Sequence, residues 1–206
     1  MNEQEDLDDS QEVEIGEVQF FLIQLGLARQ AGSTAFETLD SLGETAEYLA
    51  LLTEHGEWTE DVQKRFEVYS DDILVLNRIT IKPEFRGRGF ALLTLRVIIK
   101  TFSELCGLIA CKPFPLQHEG SKQVQNRIKK PVQDPQFLKD QAHLRRYWQR
   151  LGFKRVPKTE LLAMSPALKM PSLRSVVRGI DMNRAISSKA ARDFSPGANK
   201  QSRSTE

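Results

Sequence analysis

Between Asp71 and Phe102 the chain sets an apolar strand, a turn with two glycines and an amphipathic helix in direct succession, and that order restricts the fold more than any other stretch. The run Ile73-Leu74-Val75-Leu76 has no polar residue, as a strand covered on both faces requires; Ile79 and Ile81 then alternate with Arg78, Thr80 and Lys82. Pro83 has no N–H to donate, so it ends the pairing. Beyond the glycines, Leu92, Leu95, Ile99 and Phe102 recur at helical spacing with Arg96 and Lys100 on the opposite face, and the helix closes near Gly107. Leu108 to Cys111 is short, apolar and bounded by Gly107 and Pro113, which predicts a second buried strand. Strand, helix, strand implies a parallel pair with a right-handed crossover, hence an α/β domain.

The 206-residue chain has room for one such domain with appendages. Residues 1–12 are acidic and aperiodic and read as a disordered lead-in, 13–165 as the domain, and 166–206 as a basic tail. In that tail Val176, Val177 and Ile180 keep a weak helical spacing, so it is either disordered or a partner-bound helix. Glu17 to Ala28 reads as a half-buried strand ending in a turn at Gln30 to Gly32. Ser33 to Phe66 reads as two helical pieces, Thr45 to Leu52 and one capped by Thr59 or Asp61, separated at His55-Gly56. Residues 118–135, with Lys122, Arg127, Lys129 and Lys130, form a long polar loop. Phe137, Gln141, Leu144, Trp148 and Leu151 share one helical stripe ended by Gly152, and Phe153 to Val156 with Glu160 to Met164 predicts a terminal hairpin.

Several functional classes drop out on composition. The first basic residue is Arg29 and the run Phe20 to Ile23 is too short to span a bilayer, so neither a signal peptide nor a membrane anchor is expected and the location expected is cytoplasmic. Cys106 and Cys111 lie five apart, a spacing of neither a redox pair nor a zinc set; they read as buried thiols, with no metal site. Lys122 to Lys130 and the tail could attract nucleic acid by counterion release, but no aromatic residues interleave the cations to read bases.

The turn Arg86-Gly87-Arg88-Gly89-Phe90-Ala91 is where chemistry concentrates. Two glycines let successive N–H groups face one concavity, and the unpaired amides of the first helical turn favour an anion there, a pyrophosphate above all. Arg86 and Arg88 add charge beside it. The competing reading is a tight turn with solvated arginines. The loop lacks the Gly-Lys-Ser/Thr ending of a Walker A loop and the GxGxxG spacing of a dinucleotide-binding turn.

These residues resemble the GNAT superfamily of N-acetyltransferases. Arg86 to Ala91 is similar to its Gln/Arg-x-x-Gly-x-Gly/Ala loop, Ile81-x-Pro83 to its Val-x-Pro entry, and Tyr147-Trp148-Gln149-Arg150-Leu151-Gly152-Phe153 to its Tyr-x-x-Leu-Gly-Phe helix end. The resemblance covers Ile73 to Met164. It implies a mixed central sheet splayed at an acetyl-CoA site, with backbone groups of Ile79 and Ile81 on the pantetheine arm. Arg86, Gly87, Arg88, Gly89, Phe90 and Ala91 would hold the pyrophosphate, and Leu108 to Cys111 would flank the thioester. The implied activity is acyl transfer to an amine, small molecule or protein, and a homodimer is compatible with it.

The chain departs from that pattern at the acid. The position of the family's tyrosine holds Trp148, whose indole N–H is no acid; Tyr147 sits about 100° around the helix and would serve only if the helix is rotated or distorted. Asn77 and Arg78 stand where a base on the strand is expected, leaving Asp71, Asp72, Glu84 and His118 nearby in sequence. Gln117 and His118 follow the strand end and are expected to face the acceptor. The N-terminal half offers one strand and helices where the superfamily has two further strands. The alternative function is a GNAT-like module that binds coenzyme A without turnover.

Overall fold

The computed structural model describes residues 12–119, apart from 42 and 44, and residues 134–178. It is an α/β structure: a five-strand mixed sheet flanked by helices. Strand β1 (Gly16–Ile23) runs antiparallel to β2 (Ile73–Ile81), with an irregularity between Gln19 and Phe20. On its other edge β2 pairs in parallel with β3 (Leu108–Cys111), from Ile73 opposite Leu108 to Leu76 opposite Cys111. Helix α4 (Phe90–Phe102) makes the crossover between them. The terminal hairpin inserts its second strand: β5 (Leu162–Met164) lies against β3, and β4 (Lys154–Arg155) forms the outer edge.

The strand alternation builds two cores. Ile73, Val75, Leu108, Ala110 and Ala163 face Leu25, Leu39, Tyr48, Leu51, Val62 and Phe66 of the N-terminal region. Leu74, Leu76, Ile109, Cys111 and Leu162 face Leu92, Leu95, Ile98 and Ile99 of α4 and Trp148 of α5 (Pro135–Gln149). Gly107 is demanded by crowding, since a Cβ there would lie 1.9 Å from the Ser70 carbonyl oxygen.

Two expectations are corrected by packing. The strand expected over Glu17 to Ala28 stops at Ile23, and Leu25–Gln30 forms helix α1. A mixed apolar run does not reveal its own period; here the Asp72 carboxylate accepts the Gly26 N–H at 3.1 Å, Asp71 pairs with Arg29 at 2.8 Å, and Leu25 is drawn into the core. The two helical pieces expected over Ser33 to Phe66 are three. Helix α2 (Ala35–Asp40) starts with a capping box in which Thr34 and Glu37 satisfy each other's backbone N–H, Ala46–Leu51 is a 3-10 turn, and α3 (Glu60–Arg65) follows. Packing also continues past residue 165: helix α6 (Leu173–Val176) buries Val176 fully, and Arg96 of α4 donates to the Pro171 carbonyl. The acidic residues 1–11, the basic stretch Lys122 to Lys130 and the tail from residue 179 lie outside the described residues. Among those described, no helix is long and apolar enough to cross a membrane.

Candidate active site

The glycine loop sits between the end of a central strand and the next helix. Lys82 N–H donates to Ile15 on the β1 side, so the alternation of an antiparallel ladder turns the backbone groups of Ile79 and Ile81 the other way. The Ile81 carbonyl accepts from Arg86 Nε at 2.8 Å, which fixes the arginine at the strand end. Pro83–Phe85 makes a single 3-10 turn; Gly87 (φ 76°) and Gly89 (φ 80°) then take left-handed conformations that a side chain would strain. Gly89 is the N-cap of α4 and no side chain caps the helix. A Cβ on Gly87 would meet nothing within 4 Å, so the concavity is open there. Arg88 lies with its guanidinium 5.6 Å from the Phe85 ring centre, and Phe85 meets Phe90 edge to face.

Beside the loop lies a cleft of about 800 Å³. The β2–β3 ladder ends at Leu76 and Cys111, while β2 runs on to Ile81 paired only with β1; Asn77 to Ile81 form one wall of the cleft along this stretch. Lys112 and Phe114 to Gln117 form a second wall, and Asp140, His143, Leu144 and Trp148 of α5 a third, with Arg86 at the loop end. Helix α5 is anchored at its start by Asp134, whose side chain accepts the Gln136 N–H at 2.8 Å.

Three ion pairs surround the end of the cleft away from the loop. Arg78 grips Glu119 with two parallel bonds, 2.8 Å and 2.5 Å, holding that carboxyl below its ordinary value of 4.5. Lys112 pairs with Glu47. His118 Nε2 lies 2.8 Å from Asp140 Oδ2, and Gln136 donates to Oδ1 at 2.8 Å; these bonds, His118's first, hold the Asp140 carboxyl below its ordinary value. The His118 ring rests edge-on against Phe137, 5.4 Å between centres.

Of the residues singled out from sequence, Ile79, Ile81 and Arg86 line the cleft and Gly87 to Ala91 adjoin it through Arg86 at the start of α4. Gln117 is in the wall and His118 is paired with Asp140 there. Trp148 is in the wall, 5% exposed, stacked edge to face on Phe153, and its indole N–H has no partner among the described residues. Burial raises the pKa of the Tyr147 phenol, opposed by the nearby Leu92 backbone in the first turn of α4, so it stays protonated at neutral pH. Asp71 and Asp72 are at the opposite end of β2, tied to α1, and so are structural. Sequence reasoning missed Glu47, Lys112, Glu119, Asp140 and His143. The phase of α5 was the one available signal, because Asp140, Leu144 and Trp148 follow at intervals of four along the edge of its apolar stripe.

The chain matches no family model, no curated protein and no solved structure.

Proposed function

We propose that the chain binds acyl-coenzyme A and transfers the acyl group to an amine. One observation carries this reading: an open, uncapped glycine turn at a helix N-terminus adjoins the end of a cleft that runs along the unpaired edge of a central strand. Fit can be judged group by group. The amides from Gly87 to Ala91 and the Arg86 guanidinium suit a diphosphate. The outward backbone groups of Ile79 and Ile81 suit the amides of a pantetheine arm, which would lie along the stretch of β2 beyond its last pair with β3, Leu76 with Cys111. The buried, unpartnered N–H of Trp148 suits a carbonyl oxygen, since leaving such a donor unpaired costs about 1–3 kcal/mol.

Acyl-coenzyme A supplies the activated thioester when bound. The protein's part is to hold the amine against it: the new N–C bond forms as the C–S bond breaks, and the amine's proton leaves to water. Such positioning contributes roughly 7–11 kcal/mol with no side-chain acid. Tyr147, near the Leu92 backbone in the first turn of α4, is a family-type phenol beside the site.

The test is calorimetry with acetyl-CoA on the full chain and on Gly89→Arg, followed by thiol release in the presence of an amine panel. Binding by the parent chain and its loss in Gly89→Arg is expected, because the arginine side chain fills the concavity. Unchanged affinity in the variant removes the assignment. Trp148 in the cleft wall favours one second reading, a coenzyme A-binding module; tight binding with no thiol released from any amine selects it.

A further inference from the structure

Among the described residues, the carboxylates at the end of the cleft away from the glycine loop are not all matched by a lysine or arginine. Three carboxylates face that end, Glu47, Glu119 and Asp140. Lys112 neutralises the first and Arg78 the second. Asp140 has no lysine or arginine partner among the described residues; His118 Nε2 lies against its Oδ2 and Gln136 donates to its Oδ1. The cation that remains, Arg86, belongs to the other end: Tyr147 touches α4 beside the loop, and Asp140 lies seven residues earlier on α5, about 10 Å along its axis. Between Asp140 and the unpartnered Trp148 N–H the same helix offers Leu144, opposite the apolar Phe114 and Leu116. The wall therefore reads negative, apolar, hydrogen-bond donor, over about 12 Å of helix.

Resting on the acyl-transfer reading, we propose that Asp140 anchors a cationic centre of the acceptor, which makes the acceptor a linear alkyl diamine. One ammonium sits on Asp140, the chain crosses Leu144, and the second nitrogen, having lost its proton to water, reaches the thioester near Trp148. Glu47 with Lys112, Glu119 with Arg78, and His143 are the other titratable or charged groups at this end, and the two pairs cancel.

The experiment compares hexamethylenediamine, hexylamine and aminocaproate as acceptors of the acetyl group, which share a chain length and differ in the charge at the far end. About tenfold higher kcat/KM for the diamine than for hexylamine is expected, with aminocaproate the poorest. Asp140→Asn is expected to raise the diamine KM about tenfold and leave hexylamine and acetyl-CoA affinity unchanged, and Asp140→Glu to restore the preference. Equal use of diamine and hexylamine by the parent, or a preference that survives Asp140→Asn, overturns the proposal. If acetyl-CoA does not bind at all, the acyl-transfer reading fails by itself; the anchor is then decided by calorimetric titration of hexamethylenediamine alone into the full chain and Asp140→Asn, where equal affinities overturn it.

Discussion

A buried thiol is a poor nucleophile because the thiolate is the form that burial penalises. Cys106 is pushed up to about 11 by burial, and fully buried Cys111 is raised well above its ordinary value by the same cause. Neither thiol is expected to react with a disulfide reagent in the native chain at about pH 8, so the thiol-release assay reads coenzyme A alone; unfolding in guanidinium is expected to expose both. Rapid native labelling would contradict their placement in the core. Glu119 shows the opposite shift. Its carboxyl is depressed below 4.5 by the Arg78 hydrogen bonds, so the unfolded chain takes up this proton at higher pH than the folded one. The stability it contributes is therefore present above about 4.5 and is lost as pH falls through the folded value. It is small, because the carboxylate is half exposed. Melting curves should show Glu119→Gln slightly below the parent at neutral pH, with the gap closing as acid protonates the folded carboxyl.

At the level of elements, local signals decided what could be read. Strand β2, the turn and α4 were legible because an apolar run, a proline, two glycines and a helical stripe each sit in the segment they specify. The α5 stripe and Gly152 were legible for the same reason. Helix α1 was not, because what turns the chain at Leu25 is Asp72, 46 residues from the Gly26 N–H it binds. The acceptor end of the cleft was hidden likewise: its pairs join residues 65, 41 and 22 apart, and no spacing rule reports them. The position of Trp148 was legible and its role was not, since a stripe of apolar neighbours cannot say that an indole N–H goes unpaired. Where a signal is local its removal has a local cost. Thr34→Ala deletes the side-chain half of the α2 capping box, an expected loss of about 1 kcal/mol by urea titration. Acetyl-CoA affinity should not change, because α2 packs in the core on the other face of the sheet.

The whole molecule places its site where the two helices of one sheet face meet. Helix α4 supplies the open N-terminus, α5 the wall, and both lie on the core built from Leu74, Leu76 and Ile109. Their relative position is secured from outside the sheet by the segment after β5. Pro171 accepts from Arg96 on α4, Arg178 accepts from Arg150 at the end of α5, and Val176 is fully buried in the same core. The apolar residues of this segment are few, and among the described ones Val176 is buried in the core that α4 and α5 cover. A chain ending at residue 165 therefore loses a buried valine side chain, worth roughly 1.5–3 kcal/mol, and both carbonyl ties. It is expected to melt lower than a chain ending at residue 178 and to bind acetyl-CoA more weakly, because α4 and α5 can then separate at the loop. Val176→Ala in the full chain isolates the packing part, with an expected cost of about 2 kcal/mol and a smaller effect on affinity. Equal melting temperatures for the two truncated chains would show that the segment only rests on the domain, and that the sheet alone holds the walls of the cleft together.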